Sequence, residues 1–138
     1  MENDIEYVGR LDGDDLLRTA SVTWVREAEK ASGELLTSGT LMQRAARGVA
    51  RIAAGRMRER GARRVCALVG PGNNGADTLF AIARLAKRGF ETSAVCIDTT
   101  ASQVQTDAAE LARQRGATVL AADSREALTA ISRAEVVL

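Results

Sequence analysis

Gly70-Pro71-Gly72-Asn73-Asn74-Gly75-Ala76-Asp77 is the stretch whose residue types and spacing could do chemistry. Glycines admit positive φ and let a ligand approach the backbone closely. A helix entered from such a turn aims free N–H groups and the positive end of its dipole at an anion such as a phosphate. Asn73 and Asn74 add amide donors and acceptors, and both residue types tolerate left-handed geometry. Gly70, Gly72 and Gly75 satisfy G-x-G-x-x-G, and Asp98 stands about where an acid for a ribose hydroxyl would sit. Plainer readings stand beside these. Pro-Gly-Asn-Asn is a turn former, and Asp98 can end a strand or help cap the next helix. Asp77 can serve a helix N-terminus through the dipole rather than meet a sugar hydroxyl or a cation, and the two roles are compatible.

The surrounding pattern decides where this stretch sits. Val65-Cys66-Ala67-Leu68-Val69 is a continuous apolar run, as expected of a strand buried on both faces. A helix over 77–88 follows, then a strand over 92–97, a helix over 102–115 and a strand over 118–120. Asp123 and Glu126 resemble a capping box for a helix over 124–133, and Glu135 opens a fourth strand. Upstream, the spacing predicts a helix over 22–31 capped by Ser21, a linker over 34–39 and a long helix over 40–60. In that long helix Met42, Ala45, Ala46, Val49, Ile52, Ala53 and Met57 are expected to face inward, with Gly48 and Gly55 allowing close backbone approach. Residues 1–20 carry Glu2, Asp4, Glu6, Asp12, Asp14 and Asp15 without a clean period, which reads as an acidic, mobile tail ahead of a domain over 21–138.

Alternation of this kind implies an α/β fold: a Rossmann-like, doubly wound parallel sheet with helices on both faces. In the common order 3-2-1-4 the fourth strand covers the first. The chain is therefore expected to be the amino-terminal part of a larger domain, truncated at the start of its fourth strand.

Composition closes off several classes. The chain has 138 residues, 46% hydrophobic and 3% aromatic, with a formal net charge of +1, so its core must be aliphatic and no global field advertises nucleic acid or membrane. Histidine, the commonest general base and zinc ligand, is absent. Cys66 and Cys96 lie in apolar runs and read as small buried hydrophobes in a reducing, cytoplasmic setting. Eight arginines and one acid between Arg44 and Arg64 could touch RNA or lipid, but without interleaved aromatics they read as a solvated helix face.

Three segments together, Leu41-Met42-Gln43-Arg44-Ala45-Ala46, Gly70 to Asp77, and Leu85-Ala86-Lys87-Arg88-Gly89-Phe90-Glu91, resemble the YjeF N-terminal domain family of NAD(P)H-hydrate epimerases. Its hallmark is an L-M-x-x-A helix opening followed by G-P-G-N-N-G-G-D-G after the first strand, and the likeness spans about residues 20–138. The resemblance implies epimerisation of hydrated NAD(P)H (NAD(P)HX), so that a stereospecific dehydratase, fused or separate, can repair both epimers. It implies a homodimer, with Asn73, Asn74, Gly75, Ala76 and Asp77 binding substrate and Asn74 ligating potassium. The family's downstream acid–base residues have no counterpart here, so the resemblance assigns no catalytic residue within the chain, and residues 1–138 alone are expected to be inactive. Ala76 and Thr78 replace hallmark glycines. A positive φ at residue 76 would cost about 1–2 kcal/mol, and both side chains are expected to add bulk toward the ligand. Two other readings stand: a fragment of an NAD(P)-dependent oxidoreductase, carried by the glycine pattern and Asp98, and a non-catalytic nucleotide-binding or dimerisation module.

Overall fold

A computed structural model of the chain describes residues 5–10, 16–97 and 101–138. The chain divides into two units, residues 1–40 and 41–138. In the first, β1 (Ile5–Arg10) and β2 (Leu16–Ala20) pair antiparallel, Ile5 opposite Ala20 and Tyr7 opposite Arg18, with an irregularity between Tyr7 and Arg10. No strand was expected here, because each strand is completed by a partner that a local pattern does not reveal. Residues 1–4 and 11–15 of the expected tail lie outside the described residues. Ser21 caps α1 (Val22–Ala31) as expected, its hydroxyl accepting from the Trp24 N–H at 3.1 Å. The expected linker contains one helical turn, α2 (Glu34–Thr37), too short to show a period.

The second unit is the parallel α/β layer. Its helices are α3 (Thr40–Glu59), α4 (Gly72–Lys87), α5 (Gln103–Gln114) and α6 (Arg125–Arg133). Its strands are β3 (Arg64–Val69), β4 (Glu91–Cys96), β5 (Thr118–Ala121) and β6 (Val136–Val137), in the order β5-β4-β3-β6 with every pair parallel. This is the expected 3-2-1-4 arrangement. Alternation along the strands divides the core. Val65, Ala67, Val69 and Ala94 join the buried alanines and leucines of α3, α4 and α5, whereas Cys66 and Val95 meet Ala127 of α6 on the other face. Helices thus cover both faces, α6 packing on the second. There Leu68, Ile97 and Val137 are 41%, 60% and 52% exposed, so β3 is not buried on both faces along its whole length.

The core is built largely on alanine. The buried stripe of α3 is Ala46, Ala50, Ala53, Ala54 and Met57, while Ala45, Val49 and Ile52, expected inward, lie on an exposed face. Two charge-assisted bonds from long side chains tie α4 to α3: Arg84 Nη2 donates to Gln43 Oε1 at 2.8 Å, and Arg88 Nη1 to the Ala50 carbonyl at 3.1 Å. Gly48 and Gly55 make no close approach, since a Cβ at either would meet nothing within 4 Å. The basic face is solvated as expected: Arg44, Arg47, Arg51 and Arg60 are exposed, Arg56 pairs with Glu59 at 3.1 Å, and Arg58 lies 6.0 Å over the Phe90 ring.

Capping separates the expected boundaries from the observed ones. The capping box lies at α5, between Ser102 and Gln105. At α6 the cap is Ser124, with no side-chain bond to the helix, and its hydroxyl donates to the Ala121 carbonyl at 2.7 Å. Asp123 therefore lies outside the helix and forms no box with Glu126.

Candidate functional site

The carboxyl end of β3 leads through Gly70 directly into α4, at the edge where open parallel sheets bind ligands. The helix starts five residues earlier than the sequence predicts. Pro71 is its N-cap (φ −71°, ψ 167°), Gly72 its first residue, and Asn73 to Asp77 are already helical. Proline suits this place because its missing N–H would have no partner there. Pro71 makes no side-chain cap bond and no acid lies in the first turn, so among the described residues no capping side chain or first-turn acid offsets the free N–H groups and the dipole at this end. Asn73 and Asn74 are exposed on that turn.

The three glycines of the pattern have different reasons. Gly72 has φ +74°, which a side chain rarely adopts. Gly75 is helical and buried, but a Cβ there would overlap the Gly70 carbonyl oxygen and Gln105 Nε2. Gly70 needs neither positive φ nor an empty Cβ position. Among the described residues no residue other than glycine has positive φ, so Asn73, Asn74 and Ala76 carry no such strain.

The expected site residues do not all face one way. Ala76 is fully buried, so its methyl points into the core and adds no bulk toward a ligand. Thr78 is helical, and its hydroxyl donates to the Asn74 carbonyl at 2.8 Å, the usual i−4 bond of a helical threonine. Asp77 is the sixth residue of α4 and half-buried, too far along to cap the helix. Asp98 lies outside the described residues.

Gln105 is the site residue that sequence reasoning missed. It reaches the turn from α5, and its Nε2 donates to the Gly70 carbonyl at 2.8 Å. The signal that could have found it is the Ser102-x-x-Gln105 spacing of a capping box. Behind the turn, Gly70, Leu79, Cys96, Gln105 and Arg113 line a cavity of about 190 Å³. Burial pushes the Cys96 thiol up, and Arg113 acts in the opposite direction. Both cysteines are free thiols, Cys66 buried and Cys96 half-buried. A larger cavity of about 360 Å³, lined by Arg64, Glu91 and Arg133 among others, lies toward the opposite ends of the strands against α6. Among the described residues no three His, Cys, Asp or Glu side chains converge to hold a metal. No described helix is long and apolar enough to cross a membrane.

A parallel 3-2-1-4 sheet with helices on both faces and an asparagine-bearing helix start after its central strand defines a Rossmann-like α/β fold. The chain matches the family described as YjeF-related protein N-terminus over residues 38–138, and it belongs to that family. It is 40% identical over 82 residues to the bifunctional NAD(P)H-hydrate repair enzyme Nnr of Mycobacterium leprae, and equally to that of Mycobacterium tuberculosis. Each match covers 56% of this chain and 17% of the relative, so only a small part of those enzymes is represented here. The crystal structure of yeast ynu0 superposes with a TM-score of 0.71, covering 83% of this chain and 51% of that one, and at 22% identity it shows the fold.

Proposed function

We propose that this chain forms the substrate-binding part of an NAD(P)H-hydrate epimerase, a cytoplasmic, homodimeric enzyme that interconverts the epimers of NAD(P)HX beside a fused or separate dehydratase. The observation that carries this reading is the Gly70–Asn74 turn: an open helix N-terminus offering N–H groups to a phosphate, with two exposed asparagines beside it to bind polar groups. Family membership supports it, as do the relatives named for NAD(P)H-hydrate repair. Asn73, Asn74, Gly75, Ala76 and Asp77 are proposed as the substrate segment; buried Ala76 contributes through its backbone rather than its methyl.

Asn74 is the proposed potassium ligand. Its exposed amide offers one oxygen, a hard donor suited to such an ion, and a hard cation takes several oxygens at once, so Asn74 supplies one member of the set. Bound there, potassium would supply positive charge beside the substrate. The carried-over residues bind rather than move protons. Residues 1–138 alone are therefore expected to bind NAD(P)HX without epimerising it, and turnover by that polypeptide would contradict this assignment.

The test is titration of the full chain with NADHX and with intact NAD, in potassium and in sodium. The expected result is preference for the hydrate, tighter binding in potassium, and loss of about tenfold or more in Asn74→Ala, as for a lost polar contact. Preference for intact NAD, weakened by Asp98→Ala and indifferent to Asn74→Ala, would favour the oxidoreductase reading. Absence of binding to either would favour the non-catalytic module.

A further inference from the structure

The turn that carries Asn73 and Asn74 is held from outside its own segment. Gln105 is 5% exposed, and both ends of its amide are engaged. Its Oε1 accepts from the Ser102 N–H at 3.2 Å, while its Nε2 donates to the Gly70 carbonyl at 2.8 Å. These partners leave the amide one orientation, because a carbonyl must be met by the NH₂ group and a peptide N–H by the oxygen. Gly75 closes the arrangement from the far side, since a Cβ there would overlap both the Gly70 oxygen and Gln105 Nε2. A helix cap alone would account for the bond to Ser102. It would not account for the burial, or for a bond reaching back thirty-five residues to the end of β3.

We propose that Gln105 is a positioning residue for this site. Without touching the ligand, it holds Gly70 to Gly75 in one arrangement, so that Asn73 and Asn74 are presented already ordered and binding does not pay for ordering them. The inference deepens the NAD(P)HX reading and rests on it for the identity of the ligand. Glutamine is the suitable type: asparagine is one methylene shorter, and glutamate has no donor for the Gly70 carbonyl unless protonated.

The test compares Gln105→Glu, Gln105→Leu and Ser102→Ala with the wild-type full chain. Amide hydrogen exchange without ligand reads the turn, and titration with NADHX reads the site. In Gln105→Glu at pH 8, exchange at Ala76 and Asp77, whose N–H groups close the first turn, should rise about tenfold relative to wild type, the worth of one hydrogen bond, with β3 and the later turns of α4 unchanged. At pH 5 the ratio should fall back toward one, because the buried carboxyl takes up a proton and can donate again. NADHX affinity should weaken and recover in parallel. Ser102→Ala, which spares the bond to Gly70, should leave the ratio at the turn near one. Gln105→Leu should match the pH 8 state at both pH values; if it fails to fold, the Gln105→Glu pH series still decides. Unchanged exchange at the turn, a rise without pH recovery, or an equal rise in Ser102→Ala would overturn the proposal. Failure of wild type to bind NADHX, with the exchange results as expected, would refute the ligand assignment and leave the role of Gln105 in ordering the turn standing.

Discussion

Replacing a helical glycine by alanine normally stabilises a protein by about 1 kcal/mol, through lower backbone entropy in the unfolded chain. Gly75→Ala should do the reverse. The added methyl would overlap the Gly70 carbonyl, which is backbone and cannot swing away, and the Gln105 amide, which is pinned at both ends. Overpacking of this kind costs about 1–3 kcal/mol, and displacing the Gln105 amide forfeits about 1 kcal/mol more. Against the helix-propensity gain, the net is a loss of about 1–3 kcal/mol. The matched control is Gly55→Ala in α3, where a Cβ meets nothing within 4 Å and φ is not positive. That variant should gain the usual increment of about 1 kcal/mol. Denaturant unfolding of the three proteins measures both, and thermal midpoints should separate in opposite directions, by roughly 4 °C per kcal/mol. A Gly75→Ala protein as stable as wild type, beside a normally stabilised Gly55→Ala, would refute the packing of Gly75 against Gly70 and Gln105.

Glu135 accepts from the Arg63 and Arg64 N–H groups at 3.0 and 2.9 Å, and these bonds, more than the nearby Arg64 guanidinium, hold its carboxyl below the ordinary range. Its contribution is present above the unfolded carboxylate pKa and is lost as pH falls through the lower folded value. Stability measured from about pH 5 down to about pH 3 should accordingly fall less steeply in Glu135→Gln than in wild type. Native-state thiol labelling should modify Cys96 and spare Cys66, slowly at neutral pH and faster in alkali; Arg113→Ala should slow it further, because that guanidinium favours the thiolate. On α3, Ile52→Ser at a position 64% exposed should change stability by no more than about 0.5 kcal/mol. Ala54→Leu, two residues on, should cost about 1–3 kcal/mol, and the opposite ranking would restore the inward face read from the sequence.

The features legible in the sequence are those that one segment decides. Ser21 and the apolar period of residues 22–31 produce α1, and the alternation from Arg64 onward produces the parallel sheet in its observed order. Features decided between segments were hidden. Val49 and Ile52 fit the period of α3 as well as Ala50 and Ala54 do, and the choice between the two faces is made by the core the helix packs on rather than by the helix itself. The start of α4 was placed at Asp77 because Gly-Asn-Asn-Gly has low helix propensity, yet Pro71 and the sheet edge begin the helix there. The glycine pattern located the turn, but why residue 75 lacks a Cβ depends on Gln105, thirty residues further along the chain. The antiparallel pair of β1 and β2 needed a partner strand that no local rule supplies.

The placement of β6 has a kinetic consequence. Its pairing with β3 and the Glu135 bonds to Arg63 and Arg64 span about seventy residues, whereas β4 reaches β3 across a single helix. Closing the longer loop costs more chain entropy before its contacts can form. The β3–α4–β4 unit should thus form the folding nucleus, with β6 docking after the rate-limiting step. Substitutions at Val136 or Glu135 would then accelerate unfolding and leave the refolding rate almost untouched, while substitutions at Ala67 or Ile82 would slow refolding.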